Sequence, residues 1–138
     1  MKIPAHVIAG ETDRWTEIMF RALSSRVAKR WRFVSFRGQN KREWRGIVDV
    51  LAIRKDTSQP ANKSLKRGDL FDIILIQMKG GSARLPSLDE RRRLRIVARH
   101  YRAQGVVLFT WQRGRQTVFY ALERALTWKR TTSQEIFG

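Results

Sequence analysis

The sequence is organised around one long apolar segment, Asp69 to Gly81, which reads Asp-Leu-Phe-Asp-Ile-Ile-Leu-Ile-Gln-Met-Lys-Gly-Gly. Residues 70–76 are mostly large, apolar and branched, and they are bounded by Gly68 upstream and by Gly80 and Gly81 downstream. This pattern predicts a strand that is buried on both faces, and therefore the central strand of a sheet. Because side chains alternate along a strand, Gln77 and Lys79 should project to one side where the apolar run ends. Taken alone, this polar pair is more simply a strand leaving the core.

Composition excludes several kinds of site. The 138 residues are the length of one domain and include no cysteine, which excludes thiol catalysis, thiolate metal sites and disulfides. His6 and His100 are the two histidines, so a histidine-rich metal site is not expected. The opening residues lack the apolar core of a signal peptide, and no apolar run approaches a membrane span. We therefore expect a soluble, cytoplasmic chain with no membrane partner.

The charge of the chain predicts an anionic partner. Lysine and arginine number 29 against 12 acidic residues, giving a formal net charge of +17. Such a density repels itself unless a polyanion is near, and arginine, which dominates the basic set, suits phosphate oxygens. Nucleic acid is the expected partner. The alternative is that the charge serves solubility or a crude affinity for membrane surfaces.

A helix is predicted over about residues 11–30 from the helical spacing of apolar residues. Glu11 falls on the same stripe as Trp15, whereas Glu17 falls on the opposite face. An acid on a buried stripe needs a partner, so Glu11 is the more interesting of the two. If Thr12 caps the helix, the direction of Glu11 is open.

Two strands should follow, over residues 31–37 and 46–53. The second is apolar except for Asp49 in its middle, where a carboxylate is costly to bury without a cation or hydrogen-bond donors. The alternative is a structural aspartate paired with an arginine or with backbone amides. Residues 56–68 have turn composition and should form a long basic loop before the central strand.

The second half of the chain predicts a helix and a hairpin. Ser87 and Glu90 have the spacing of a capping box, and the helix should run to about Gln104 and end at Gly105. Strands over residues 106–110 and 116–122, joined by a tight turn, would bring the sheet to about five strands. The tail, residues 123–138, is expected to be an extension, either a short helix or a partner-binding end.

The basic residues fall into predicted loops and one predicted helical stripe. Four arginines recur four, four and three residues apart on the second helix, where like charges so close call for a polyanion. The alternative is a solvated face tolerated by packing elsewhere. The candidates for nucleic-acid contact are Arg37, Lys41, Arg42, Arg45, Lys63, Lys66, Arg67, Arg84, Arg91, Arg92, Arg95, Arg99 and Arg102.

The predicted order is helix, three strands, helix, strand, with an acid on the second strand and Gln-x-Lys on the third. In this the chain resembles the PD-(D/E)xK nuclease superfamily, and within it the Holliday-junction-resolvase-like and methyl-DNA restriction branches. The residues that carry the resemblance are Gly46-Ile-Val-Asp49 and Gln77-Met-Lys79, with Glu11 or Glu17 as the acid on the helix. It covers about residues 10–112.

The resemblance implies an α/β fold with a restriction-endonuclease-like αβββαβ core, in which a mixed central sheet of about five strands is flanked by helices. It makes residues 1–138 a single nuclease-like domain, with a core over about 10–122 and the extension 123–138. The chain departs from the common pattern at two positions: Val48 stands where proline is usual, and Gln77 replaces the usual acid. A glutamine oxygen can still ligate a hard cation but brings no charge, which favours weaker binding and a single ion.

The chemistry that the resemblance implies is phosphodiester hydrolysis with Mg²⁺, for which Mn²⁺ should substitute. Asp49, the Gln77 side-chain oxygen, the Met78 backbone carbonyl and Glu11, with Glu17 as the alternative, would hold the ion. Lys79 would orient the attacking water and offset charge in the transition state.

The expected function is a magnesium-dependent DNA endonuclease selective for DNA structure, branched DNA included, because little in the chain suggests base reading. A resolvase would be a homodimer, since it cuts two symmetric strands. Two alternatives stay open: a nucleic-acid-binding module of the same fold with weak or no catalysis, and an RNA-binding protein of the translation machinery.

Overall fold

The computed structural model describes residues 5–36, 46–81, 84–112 and 114–138, with side chains described from residue 14 onward. The elements in chain order are α1 (Ala5–Ser25), β1 (Arg32–Ser35), β2 (Val50–Lys55), β3 (Phe71–Gly80), α2 (Leu88–His100), β4 (Gly105–Trp111), β5 (Val118–Leu122), β6 (Trp128–Thr131) and α3 (Ser133–Phe137).

The strands form one mixed sheet in the order β1-β2-β3-β4-β5-β6. Strands β3 and β4 pair in parallel through the α2 crossover, and every other pair is antiparallel. An α/β fold with a mixed sheet flanked by helices is therefore confirmed. The expected number of about five strands is wrong, since the described residues contain six.

Strand β3 is the buried strand that the apolar run predicts. It lies between β2 and β4, and residues 74–78 are all buried. Its alternate side chains Ile74, Ile76 and Met78 join a core cluster with Phe20 of α1, while Leu75 joins a second cluster with Leu94 of α2. The two long helices therefore cover opposite faces of the sheet, each sealing one set of β3 side chains.

Helix α1 differs from its prediction in bounds and in its buried side. It begins at Ala5 and ends at Ser25, and from residue 14 onward its fully buried residues are Thr16, Phe20 and Ser24. Trp15, which the apolar spacing placed on the core stripe, is 49% exposed. Apolar residues lie on several sides of α1, so their spacing does not specify which side is buried. The packing of Phe20 against the sheet selects the buried side.

Helix α2 begins as predicted and ends early. Ser87 is its N-cap, and the reciprocal capping box with Glu90 is present. The helix stops at His100, because Arg102 adopts a left-handed backbone conformation (φ 51°) and the Ala103 amide donates to the Ala98 carbonyl at 2.8 Å. Arg102 thus lies beyond the helix and not on its basic stripe. Gly105, expected to end the helix, begins β4.

The tail from residue 123 packs against the rest of the fold, and the short helix expected in it is present. β6 pairs with β5 in antiparallel register, and the turn between them contains Leu126 at φ 63°. The short helix α3 then seats Phe137, which is 3% exposed, in the core cluster of Phe20 and Trp31. The sequence analysis did not predict β6, because this edge strand, Trp-Lys-Arg-Thr, shows almost no alternation of apolar and polar residues.

Candidate functional site

Asp49 lies immediately before β2 and not in its middle, and its carboxylate is anchored on β3. Its backbone amide donates to the Ile76 carbonyl at 2.9 Å, and its carbonyl accepts from the Phe36 amide at 3.0 Å. Its Oδ2 accepts from the Met78 backbone amide at 2.7 Å. The carboxylate is therefore fixed at the residue between Gln77 and Lys79. This hydrogen bond also agrees with the alternative prediction that Asp49 is a structural aspartate paired with backbone amides.

Gln77 is the buried polar residue at this end of β3. It is 5% exposed, and its side-chain oxygen Oε1 has no hydrogen-bond partner among the described residues. The Gln77 side chain also lowers the pKa of the Glu90 carboxyl, as an amide N–H near a carboxylate does. A buried acceptor without a donor costs free energy, and the same oxygen is a ligand that suits a hard cation.

Lys79, near the end of β3, and Glu90, in the first turn of α2, lie close together. The Lys79 Nζ lies 3.7 Å from Glu90 Oε2, and both side chains are partly exposed. The Glu90 carboxylate also accepts from the Ser87 amide at 3.3 Å. That backbone hydrogen bond is the largest cause that lowers the pKa of Glu90; burial opposes it, and the Lys79 charge and the Gln77 side chain lower the pKa further. Glu90 is therefore ionised at neutral pH.

Glu90 is the site residue that sequence reasoning missed. It was predicted only as the second half of the capping box, a local role that it does fill. The signal that could have found it is its closeness in sequence to the polar end of β3. Only seven residues, 81–87, separate β3 from α2, so an acid in the first turn of α2 has to lie near that strand end.

Among the described side chains, no acid of α1 lies beside the polar group at the end of β3. Glu17 forms an i,i+4 ion pair with Arg21, with 3.7 Å between Oε1 and Nη2. α1 packs on the face of β3 that carries Ile76, whereas Gln77 and Lys79 meet α2. Glu11 lies in α1, but its side chain is outside the described part of the chain. Its role as a ligand stays a prediction.

Three side chains near the end of β3 carry oxygen atoms of the kind that a hard divalent cation binds. Asp49 supplies an anchored carboxylate, Gln77 a buried unpartnered oxygen and Glu90 an ionised carboxylate. Oxygen donors of this kind suit Mg²⁺ or Mn²⁺. Within the described ranges, no three His, Cys, Asp or Glu side chains come together as a metal-binding group. The fit therefore depends on the neutral Gln77 oxygen, and the low charge favours weak binding.

Two arginines of the predicted stripe on α2 make hydrogen bonds within the fold, and the others are exposed. Arg91 donates to the Leu126 carbonyl at 2.7 Å, and Arg95 donates to the Glu123 carbonyl at 2.9 Å. These two arginines tie α2 to the β5–β6 turn, which is a structural use of their guanidinium groups. Arg92 forms an exposed ion pair with Asp89 at 3.3 Å.

A cleft of about 520 Å³ lies at the other end of α2 and is lined by four arginines, Arg95, Arg99, Arg102 and Arg124. We call it the arginine cleft. Arg124 was not among the predicted contacts, because it follows β5 in a turn that sequence reasoning treated as the start of a tail.

The remaining basic candidates are surface residues or lie outside the described ranges. Lys63, Lys66 and Arg67 lie in the connection between β2 and β3, and Arg84 lies shortly before α2. All four are exposed. Arg67 also donates to the Gln59 side chain at 3.1 Å. The other four candidates, Arg37, Lys41, Arg42 and Arg45, fall outside the described residues.

Comparison of the chain with protein-family models, with curated proteins and with solved structures found no match. Within the described residues, no helix has the length and apolar character needed to cross a membrane. What the site can do chemically follows from its own groups: an anchored carboxylate, an unpartnered amide oxygen, and an ammonium group held by a second carboxylate.

Proposed function

We propose that this chain is a magnesium-dependent DNA endonuclease of the PD-(D/E)xK type, with a restriction-endonuclease-like core. The observation that carries the proposal is the hydrogen bond from the Met78 amide to Asp49 Oδ2. It joins the carboxylate before β2 to the residue between Gln77 and Lys79, which is the neighbourhood that hydrolysis of this type requires. The order of the first six elements, helix, three strands, helix, strand, supports the same conclusion.

The ion would be held by Asp49 and the Gln77 oxygen, with Glu90 as a further donor and the Met78 carbonyl and Glu11 as the ligands implied by the resemblance. When bound, Mg²⁺ would polarise the scissile phosphate and lower the pKa of a water molecule. Lys79 contributes a positive charge where negative charge grows on the phosphate in the transition state. Glu90 holds that ammonium group within 3.7 Å before substrate binds.

The test is cleavage of branched, linear and single-stranded DNA in the presence of Mg²⁺, Mn²⁺ or a chelator. We expect metal-dependent cutting that falls by about 100-fold or more in Lys79→Ala and Asp49→Asn, since each change removes one stabilising group. Lys29→Ala is the matched control, because Lys29 is exposed and follows α1 on the other side of the sheet. Unchanged cleavage by Lys79→Ala would contradict the proposed role.

The proposal includes branched DNA as the substrate and a homodimer as the cutting unit, since two symmetric strands need two sites. A preference for four-way junctions over linear duplex, together with two protein chains per junction by light scattering, is the expected result. Equal cutting of all substrates by a monomer would contradict this part alone.

A second candidate is a nucleic-acid-binding module of the same fold without catalysis. Two contacts favour it: Lys79 is already paired with Glu90, and one Asp49 oxygen already accepts a backbone amide. Both groups are thus engaged in structural contacts, and Gln77 adds no charge to attract an ion. Binding of DNA with no cutting of any substrate would favour this candidate, and a strong preference for RNA would favour the RNA-binding alternative.

A further inference from the structure

The arginine cleft lies away from the proposed hydrolytic site. Arg99 is nine residues after Glu90 on α2, which corresponds to about 14 Å along the helix axis and half a turn around it. The cleft therefore lies at the far end and on the other flank of the helix from Lys79 and Glu90. Its remaining lining includes Ala103 and Leu122, so it faces the β5–β6 side of the sheet.

The chain builds this cleft from three separate elements. Arg95 is held in place by the carbonyls of Leu122 and Glu123, at 3.3 and 2.9 Å. Arg102 leaves the helix through its left-handed backbone conformation, φ 51°. Arg124 is presented by the β5–β6 turn, which the hydrogen bond from the Glu123 amide to the Thr127 carbonyl closes at 2.9 Å.

Within the described part of the chain, no carboxylate pairs with the guanidinium groups of the cleft. Arg99, Arg102 and Arg124 are exposed, and none of their side chains makes a hydrogen bond or ion pair with another described residue. The negative end of the α2 dipole favours cations at Arg99 and Arg102, but Arg124 belongs to a different element and gains nothing from that helix end. Four like charges around one cleft repel one another, and an anion bound between them would relieve that repulsion.

The shape and chemistry of the cleft favour a phosphodiester chain. One planar guanidinium group can bind two oxygens of a phosphate at once, through two parallel N–H donors. The lining combines these arginines with small apolar residues, Ala98 and Ala103, and none of the described residues that line it has an aromatic side chain on which a base could stack. A continuous backbone, whose phosphates recur along the strand, can engage several of the arginines at once.

We propose that Arg99, Arg102 and Arg124, arranged around the fixed Arg95, form a second phosphate-binding site. It takes consecutive backbone phosphates of a nucleic acid and is separate from the Asp49–Lys79 centre. The inference rests on the nucleic-acid partner of the proposed function and not on catalysis. It assigns Arg124 a role in binding that its position in a surface turn does not by itself suggest.

The test is DNA binding by fluorescence anisotropy in chelator, so that no cutting occurs, over a series of potassium chloride concentrations. We expect the combined variant Arg99→Gln, Arg102→Asn, Arg124→Gln to reduce the slope of log affinity against log salt by about 2 to 3, since each lost phosphate contact removes about 0.9. Asparagine is chosen at 102 because it tolerates the left-handed conformation. Arg124→Gln alone, in the turn, should reduce the slope by about 0.9.

The matched control is Arg14→Gln, Arg26→Gln, Arg32→Gln, which removes the same charge from exposed arginines on α1, after it and on β1. An equal loss of slope in both combined variants would overturn the cleft, because net charge alone would then account for binding. An unchanged slope in the cleft variant would also overturn it while leaving the nucleic-acid partner intact. Loss of binding to phosphatidylserine vesicles, with DNA binding kept, would overturn the assignment to nucleic acid.

Discussion

At the scale of single residues, Gln77 decides what kind of metal site is available. Its side chain lowers the pKa of the nearby Glu90 carboxyl, and its buried oxygen has no hydrogen-bond partner among the described residues. A carboxylate in its place would lie beside ionised Glu90 in a position that is 5% exposed. Burial and a like charge would both oppose its ionisation. The neutral side chain therefore lets this end of β3 stay folded without a cation.

We predict that Gln77→Glu destabilises the metal-free protein at neutral pH, by about 1.4 kcal/mol for each unit by which the new carboxyl's pKa is raised. Because that folded-state pKa lies above the unfolded value, the loss is absent in acid and grows as the pH rises above about 4.3. Mg²⁺ should restore more stability to the variant than it adds to the natural chain.

Urea unfolding across pH, with and without Mg²⁺, measures both effects. Gln104→Glu is the control, because Gln104 is exposed and its new charge would be solvated. A Gln77→Glu protein as stable as the natural one at neutral pH without metal would show that this position is not the charge-poor, buried site described above.

At the scale of elements, α2 connects the two candidate sites. Its first turn contributes Glu90 to the β3 end, and its last turn contributes Arg99 to the arginine cleft. The helix start is local, since Ser87 and Glu90 cap each other. Its lateral position is set by Arg91 and Arg95, which donate to carbonyls of the β5–β6 turn. A change in that turn should therefore shift both sites together.

We predict that Glu90→Gln keeps α2 but loses a pH-dependent part of the stability. Glutamine preserves the capping box, so the loss comes from the Lys79 pair and the charged hydrogen bond to Ser87. The pKa of Glu90 is lowered from its usual 4.5, so this contribution is present above that pH and disappears as the pH falls through the lowered value. The partly exposed pair limits the effect to under about 1 kcal/mol.

The measurement is the difference in unfolding free energy between the natural chain and Glu90→Gln from neutral pH into acid. Asp89→Asn is the comparison, because Asp89 is a second carboxylate in the first turn of α2 but its side chain is 89% exposed, so its loss reports the effect of the helix dipole without the Lys79 pair. A difference that stays constant with pH would mean that the charge of Glu90 plays no part.

At the scale of the whole molecule, α1 and α3 close one core. Phe20 of α1 contacts Phe33, Phe109, Phe119 and Phe137 through ring pairs with centroids 5.2 to 6.1 Å apart. Phe137 is the second residue from the end of the chain, yet it also contacts Trp31 and Phe33. The final residues thus stabilise the face of the sheet that α1 covers.

We predict that Phe137→Ala lowers the free energy of unfolding by about 3 to 5 kcal/mol, because it leaves a cavity in the aromatic cluster. That is a large share of the roughly 5 to 15 kcal/mol typical of a domain. Phe71→Ala, at a position 57% exposed, removes the same side chain from the surface and should cost far less. Urea unfolding distinguishes the two; a small effect of Phe137→Ala would return the tail to the partner-binding role that the sequence allowed.

Local rules account for the features that could be predicted. The apolar run of β3 could only be buried on both faces, and Ser87 with Glu90 encodes a helix start within four residues. The prediction failed where the local signal was weak. β6 has one apolar residue, Trp128, and the left-handed turn that ends α2 is taken by Arg102 although Gly105 is three residues away.

By itself, the sequence determined the α/β class, the central strand, the start of α2 and the excess of positive charge, because each follows from neighbouring residues or from composition. The tertiary structure alone decided which residues meet. Asp49 reaches Met78 across 29 positions, and Arg95 reaches Glu123 across 28. Contacts over such separations depend on how the strands and helices pack, which the periodicity of each element does not specify. For this reason Glu90 and Arg124 acquire their proposed roles only in the folded chain.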